Sequence, residues 1–101
     1  MYYIYAIQSL ERNYIYVGLT LNVIDRYHRH QKGYEKTTSP YRPYKLIFSM
    51  EVVENRALAR EIEKYFKSAS GKRWLKKNSP EVTGLSTLQD LPWKVLELLK
   101  M

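Results

Sequence analysis

Two short tyrosine-rich segments near the N-terminus constrain the fold more than any other feature. The segments "YYIYAIQ" (2–8) and "YIYVG" (14–18) alternate tyrosines with aliphatic or small residues. A period of two is typical of β-strands that present different side chains on their two faces. Only "SLERN" (9–13) separates the segments. The sequence therefore predicts an antiparallel β-hairpin.

The hairpin register decides whether two tyrosines meet. A turn centred between Leu10 and Glu11 places Tyr5 opposite Tyr16, and directly opposed residues share one face of a sheet. The same register places Tyr3 opposite Gly18. A slip of one residue would move the two phenols to opposite faces. We therefore predict that the Tyr5 and Tyr16 side chains are neighbours.

A helix is predicted next, over residues 22–33. Asn22 is a favourable N-cap, with Asp25 three residues later as a partner of capping-box type. Gly33 is a stop signal. Arg26 and His30 are four residues apart, so they share one helical face. An apolar side is expected from Val23, Ile24 and Tyr27.

The second half of the chain predicts a strand and two helices. Residues 34–44 contain two prolines and little periodicity, which indicates a loop. Residues 45–53 read as a largely buried strand, 55–68 as a long helix and 71–78 as a shorter one. The long helix carries an apolar stripe at helical spacing, formed by Leu58, Ile62, Tyr65 and Phe66. The order β-β-α-β-α-α predicts an α+β, sandwich-like fold, with a small three-stranded antiparallel sheet flanked by helices.

The C-terminal part has a different character. We divide the chain into a domain over residues 1–78 and an extension over 79–101. Residues 79–92 contain turn signals without a steady period, as expected of a connector. The segment "PWKVLELLK" then predicts a short amphipathic helix with Pro92 near its first turn. Its apolar residues are expected to pack on the domain rather than on a partner: Trp93, Leu96 and Leu99.

Composition limits the classes of function. The chain has no cysteine and two histidines, which excludes disulfides and thiolate metal sites. It has no apolar run of about 20 residues and no secretory signal pattern, so a cytoplasmic protein without a membrane span is expected. The net charge of +7 favours a polyanionic partner. Ten tyrosines could stack on bases or hydrogen-bond phosphates.

Five features, taken in order, resemble the GIY-YIG nuclease superfamily, in particular its small single-domain members. The first signature block is similar to "YIY" at 3–5, where Tyr3 replaces a glycine, and the second to "YVG" at 16–18. "NVIDRYHRH" resembles a helix that carries Arg and then His. "GYEKTTSPYRPYKLIFSMEV" resembles the loop and third strand, and "AREIEKYFKSASGKRWLKKN" an acidic helix followed by a basic one.

The resemblance implies roles for particular residues. Tyr5 and Tyr16 match the motif tyrosines, Arg26 the catalytic arginine and His30 the histidine that follows it. Glu63 matches the single metal-binding glutamate. Helical periodicity alone leaves Glu61 as a rival, because the two acids flank the apolar stripe on opposite sides; the resemblance favours Glu63. Substrate contacts are implied for Lys67 and Asn78. Gly18 is expected to keep the backbone open where a phosphate or the facing strand approaches.

The chemistry of these side chains suits phosphodiester hydrolysis. A guanidinium such as that of Arg26 grips two phosphate oxygens and keeps its proton. One carboxylate, Glu63, can hold Mg²⁺ or Mn²⁺ together with water and substrate oxygens. For the general base the resemblance favours Tyr16, and a phenol needs neighbouring cations for that role because its free pKa lies near 10. His30 is the alternative base, with a better matched intrinsic pKa.

The resemblance implies a metal-dependent DNA endonuclease, structure-selective and acting in repair or recombination. RNA stays open as a substrate, a protein partner could supply specificity, and a monomer is expected. Two other classes stay open: a scaffold that binds nucleic acid without cutting it, and an interaction protein that docks through "PWKVLELLK". The presence of all five site residues favours the enzyme.

Overall fold

The computed structural model describes residues 1–52, 55–78 and 91–100. It confirms the α+β fold, with a three-stranded antiparallel sheet in the order β2-β1-β3 and four helices. The strands are β1 (Tyr2–Ser9), β2 (Ile15–Thr20) and β3 (Tyr44–Val52). The helices are α1 (Val23–Lys32), α2 (Arg56–Lys67), α3 (Ala69–Asn78) and α4 (Trp93–Leu99). A 3₁₀ turn, Ser39–Tyr41, interrupts the predicted loop.

The predicted hairpin register is wrong by two residues. Tyr5 lies opposite Gly18, and Tyr16 lies opposite Ile7. The connection is longer than a tight turn, because the Ser9 backbone N–H donates to the Tyr14 carbonyl at 2.9 Å and four residues lie between them. The Ser9 hydroxyl accepts two further backbone N–H groups inside this loop. A shift of two keeps every side chain on its face, so Tyr5 and Tyr16 are still diagonal neighbours.

The two faces of the sheet bury different layers. One face of β1, with Ile4 and Ala6, packs into the main core beneath α2, α3 and α4. The opposite face, with Tyr5 and Ile7, packs with Tyr44 against the side of α1. Alternation along β1 therefore separates an aliphatic core from a tyrosine-rich layer, which explains the unusual composition of the hairpin.

A β-bulge in β3 directs neighbouring side chains into both the main core and the tyrosine-rich layer. The pairing with β1 runs regularly as far as Ala6 opposite Phe48 and then jumps, so that Ile7 lies opposite Leu46. The extra residue, Ile47, allows Ile47 and Phe48 both to join the main core while Leu46 packs with the tyrosine layer. A bulge of this kind re-aims side chains without ending the strand.

Capping interactions determine where α1 begins and ends and where α2 begins. The Asn22 side chain accepts the Asp25 backbone N–H at 3.0 Å, as predicted. The Asn22 N–H itself donates to the Thr20 hydroxyl, so this donor is satisfied by Thr20 and not by the predicted Asp25 carboxylate. Gly33 ends α1 with φ of 81°, a left-handed conformation that suits glycine. Asn55 caps α2 in the same way as Asn22 caps α1.

Two predicted apolar contacts are wrong. Ile24 is 60% exposed, because the buried face of α1 runs through Val23, Tyr27 and His30 and Ile24 lies outside that arc. Trp93 is 71% exposed. The prediction that α4 packs on the domain is confirmed, but Leu91 and Val95 anchor it in the main core, and Leu96 and Leu99 pack at its margin.

Some predictions lie outside the described residues. These are the end of the third strand at Val53 and the connector over residues 79–90. Within the described ranges, no helix is long and apolar enough to cross a membrane.

Candidate active site

A hydrogen bond between β1 and α1 forms the centre of the tyrosine layer. The Tyr5 hydroxyl lies 2.7 Å from His30 Nε2, and both side chains are fully buried. Tyr5 projects from the middle of the central strand, and His30 occupies the last turn of α1 on its inner face. The helical spacing that places Arg26 one turn before His30 brings both residues to this side of the sheet.

Thr38 extends this hydrogen-bond chain. Its hydroxyl lies 2.8 Å from His30 Nδ1 and donates to the Glu35 carbonyl at 3.4 Å. One assignment of the protons satisfies every member of this hydrogen-bond series: the Tyr5 hydroxyl donates to His30 Nε2, and His30 Nδ1–H donates to the Thr38 hydroxyl. Thr38 is fully buried in the loop between α1 and β3, and its carbonyl accepts the Tyr44 hydroxyl.

Burial favours the neutral forms of Tyr5, His30 and Tyr44 in this hydrogen-bond network. It raises the pKa of Tyr5 far above its ordinary value, and the opposing effect of Arg26 is smaller. It raises the pKa of Tyr44 to about 12. Burial lowers the pKa of His30, and the positive charge of Arg26 lowers it further. A neutral His30 whose two nitrogens are both engaged is suited to positioning Tyr5 rather than to taking a proton from solvent.

His30 should make the fold less stable in mild acid. Since the pKa of His30 is lowered in the folded state, the unfolded chain takes up this proton first as the pH falls through about 6.5. The free energy of unfolding should therefore decrease below that pH. Denaturant unfolding between about pH 8 and pH 5 checks this for the wild type, His30→Gln and the control His28→Gln, which alters an exposed residue of the same helix.

The wild type and His28→Gln should lose stability in parallel, while His30→Gln should lose less. NMR titration of the two imidazoles gives an independent reading in the wild type. A His30 ring that takes up a proton at or above the ordinary histidine pKa would contradict the neutral buried chain.

Tyr16 is the motif tyrosine that solvent reaches. Its ring centroid lies 4.9 Å from that of His30 and 6.3 Å from that of Tyr5, but Tyr16 is only half-buried. Gly18 lies beneath the Tyr5 ring, and a Cβ at Gly18 would come within 2.6 Å of the Tyr5 hydroxyl oxygen. The absence of a side chain at Gly18 is therefore what allows Tyr5 to reach His30.

Arg26 carries an unsatisfied donor at the edge of this layer. Its Nε is buried and has no hydrogen-bond partner among the described residues. Its Nη2 lies 4.0 Å from Glu35, which also accepts Arg29 Nε at 3.5 Å. The side chain is 30% exposed and lines an open groove of about 400 Å³. A buried N–H without a partner is costly, so an external acceptor is the natural complement.

Glu63 lies on the side of α2 that faces the site. It is 6% exposed, and its charge, like those of Arg26 and Glu35, acts on the pKa of Tyr5. One carboxylate oxygen lies 3.3 Å from Arg60 and the other 3.2 Å from Lys67. Glu61 is exposed and lines a recess with Leu98 of α4. The structure thus separates the two acids that helical periodicity left equivalent.

The residues present fit a hard divalent cation held by one carboxylate. Each Glu63 oxygen has a lone pair beyond the one used in its ion pair, and the Arg60 and Lys67 side chains are more than half exposed and can move aside. Mg²⁺ commonly takes one or two carboxylates and completes its shell with water and phosphate oxygens. Among the described residues, no three His, Cys, Asp or Glu side chains come together.

Two other predicted substrate contacts, Lys67 and Asn78, lie at the ends of α2 and α3. Lys67 pairs with Glu63, as its position one turn later on α2 requires. Asn78 ends α3, but its side chain lies outside the described residues.

Sequence reasoning missed the residues that hold the inner layer together. Thr38 lies in a segment without periodicity, so no pattern indicated it. Gln31 accepts the Tyr44 N–H at 2.7 Å and donates to the Tyr44 carbonyl at 2.9 Å, so its amide pairs with the first residue of β3. Tyr27 donates to the same carbonyl. A polar residue on the inner face of a predicted helix was the available signal for Gln31.

Comparison with known proteins agrees with this geometry. The family model described as the GIY-YIG catalytic domain matches residues 1–78. A curated relative from Pediococcus pentosaceus, named UPF0213 protein, is 36% identical over 88 residues, which cover 83% of this chain and 90% of the relative. No solved structure matches significantly.

The structure thus brings together a small antiparallel sheet, a tyrosine–histidine hydrogen bond, a groove-lining arginine and one nearly buried glutamate. The chain belongs to the GIY-YIG family. Membership implies nuclease-type activity, DNA as the type of substrate and, in general, dependence on a divalent metal.

Proposed function

We propose that this protein is an endonuclease that hydrolyses DNA phosphodiester bonds with Mg²⁺ or Mn²⁺, through a site formed by Tyr5, Tyr16, Arg26, His30 and Glu63. The observation that carries the proposal is the buried Nε of Arg26. The side chain as a whole is 30% exposed, so a small rotation would present this donor to a phosphate oxygen in the groove. Charge-assisted bonds from a guanidinium to a phosphate are among the stronger hydrogen bonds in proteins.

Arg26 holds the scissile phosphate and stabilises the charge that develops on it. Because Arg26 already approaches Glu35, its guanidinium is oriented before the substrate arrives, which reduces reorganisation during the reaction. Glu63 is the residue that would hold the metal ion. When bound, the ion supplies Lewis-acid polarisation of the phosphate and stabilises the leaving oxygen.

The phenolate form of Tyr16 takes the proton of the attacking water, directly or through a relay, and later releases this proton to solvent. The new P–O bond forms from that water, the bond to the leaving oxygen breaks, and the leaving oxygen takes a proton from solvent. Accessibility favours Tyr16 over His30 for this role, because Tyr16 is partly exposed and His30 is fully buried. His30 and Tyr5 act as positioning residues that hold the wall of the site.

Tyr16→Phe should lower the cleavage rate by about 10²–10⁴-fold, the usual contribution of a general base. Its residual activity should also lose the pH dependence of the wild type. Tyr14→Phe is the matched control, because the Tyr14 ring stacks on that of Tyr41, with centroids 4.1 Å apart, and Tyr14 is not among the proposed site residues. A Tyr16→Phe variant with an unchanged pH–rate profile would assign the proton transfer to another group.

A substrate panel tests the proposed function as a whole. Wild-type protein is incubated with single-stranded, duplex, nicked and branched DNA and with RNA, in Mg²⁺, Mn²⁺ or EDTA. Metal-dependent products from DNA support the endonuclease, and preference for nicked or branched forms supports a role in repair or recombination. Salt-sensitive binding without products would instead indicate a non-catalytic binding module.

A further inference from the structure

The groove beside Arg26 extends beyond the catalytic residues. It is formed where the end of β2 and the first turn of α1 face the first turns of α2. Four charged residues line it: Asp25, Arg26, Arg56 and Arg60. Of the site residues inferred from the sequence, only Arg26 lies in this lining, so most of the groove surface is distinct from the site.

The positive charges of the groove come from two helices, α1 and α2. Arg26 belongs to α1, whereas Arg56 and Arg60 belong to α2 and are four residues, or roughly 6 Å, apart along its axis. Arg56 is exposed, and no carboxylate pairs with it among the described residues. The lone acid, Asp25, leaves the groove with an excess of positive charge.

Arg60 connects this surface to the site. Its Nη1 lies 3.3 Å from the Glu63 carboxylate, while its side chain, 54% exposed, also lines the groove. A strand whose phosphate contacts Arg26 and approaches Glu63 therefore has a continuous path past Arg60 toward Arg56. A single small anion would need only one of these arginines, but a polymer with regularly spaced phosphates can contact all three.

We propose that this groove holds the sugar–phosphate backbone of the DNA strand next to the scissile phosphate, with Arg56 and Arg60 contacting successive phosphates. The proposal rests on the proposed function, since it extends the path of the same substrate. Phosphate contacts of this kind position the strand and carry no sequence information. They would explain how a small domain fixes the scissile phosphate at Arg26 without reading bases.

Binding measured in EDTA tests the groove without cleavage. Fluorescence anisotropy with a labelled nicked DNA duplex is followed between about 50 and 200 mM salt. Arg56→Gln should weaken binding at every salt concentration and reduce the slope of log K against log salt by roughly 1. Arg56→Lys should restore most of the slope, and Asp25→Asn should tighten binding because it removes the opposing charge.

The matched control is Arg12→Gln, which removes the same charge at the hairpin turn. Tyr2 lines the groove and begins β1, whereas Arg12 follows the other end of that strand. This control should bind as the wild type does. Thermal unfolding checks that every variant is folded, and Arg60→Gln is a second groove variant whose slope should also fall.

The outcomes separate the two proposals. If the wild type binds DNA and Arg56→Gln and Arg60→Gln keep its salt slope, the groove proposal is overturned and the nuclease proposal stands. If the wild type neither binds nor cleaves any DNA of the panel, both proposals are overturned. If the Arg12→Gln slope falls as much as that of Arg56→Gln, the effect is one of net charge and the groove proposal is likewise overturned.

Discussion

Replacing Arg26 with alanine should reduce the rate of DNA cleavage by about 10³-fold or more, the effect expected when a guanidinium that stabilises a phosphoryl transition state is removed. Arg26 is the one described residue whose buried donor lacks a partner, so its removal takes away a charge-assisted bond to the substrate and leaves no protein group unpaired in its place. The fold should be retained, because the side chain contributes little to either apolar layer.

Arg29→Ala is the matched control for Arg26. Arg29 lies on the same helix, carries the same charge and pairs with the same Glu35 carboxylate, but it is more exposed. Initial rates on the preferred DNA substrate under saturating Mg²⁺ compare the two variants. Near-wild-type cleavage by Arg29→Ala together with loss in Arg26→Ala is expected; equal losses would mean that net charge, and not the geometry of Arg26, controls the rate.

Glu63→Gln should reduce metal-dependent cleavage on the order of 10³-fold, because several kcal/mol of transition-state stabilisation depend on holding the ion. Glutamine keeps the size of the side chain but loses the charge that a divalent cation needs. The two cations that pair with Glu63 are half-exposed, so they can turn to solvent and the fold should persist.

Glu61→Gln is the control for Glu63. It removes an identical charge two residues away on the same helix, on the side that faces α4. Cleavage rates as a function of Mg²⁺ concentration are measured for both variants. Loss of cleavage in Glu61→Gln with retention in Glu63→Gln would reverse the assignment of the metal ligand.

The site combines a neutral inner layer with a charged outer edge. Burial raises the pKa of Tyr5 and lowers the pKa of His30, so both stay uncharged through the neutral pH range. The charged groups lie at the edge of the site: Arg26 is 30% exposed, and Glu63, 6% exposed, pairs with two exposed cations of α2. In the proposed mechanism, the inner hydrogen bonds fix the geometry while the outer groups contact the substrate.

The sequence predicted which faces the tyrosines share, but not how the strands align. Alternation in "YYIYAIQ" and "YIYVG" determines faces, because a period of two is insensitive to a shift of two residues. The alignment depends on the loop between the strands, where hydrogen bonds of the Ser9 side chain and backbone hold a connection of four residues. The loop sequence contains no turn signal that predicts this length. Tyr5 therefore meets Tyr16 diagonally and not directly.

The other features that the sequence could not predict also depend on tertiary contacts. Helical periodicity placed Arg26 and His30 on one face correctly, but it left Glu61 and Glu63 equivalent. Only the packing of α2 makes Glu63 nearly buried while Glu61 is exposed. Thr38 could not be predicted at all, since its role comes from a loop that folds over His30. Local patterns thus supplied the elements, and long-range packing selected the residues that meet.

The most direct test of the central claim is the nicking of supercoiled plasmid DNA by the wild type and Arg26→Ala, each in Mg²⁺ and in EDTA. Nicked product that accumulates only with wild-type protein and only with Mg²⁺ is the predicted result. Nicking by the wild type that continues unchanged in EDTA, or that Arg26→Ala performs at the wild-type rate, would contradict a metal-dependent site organised around Arg26.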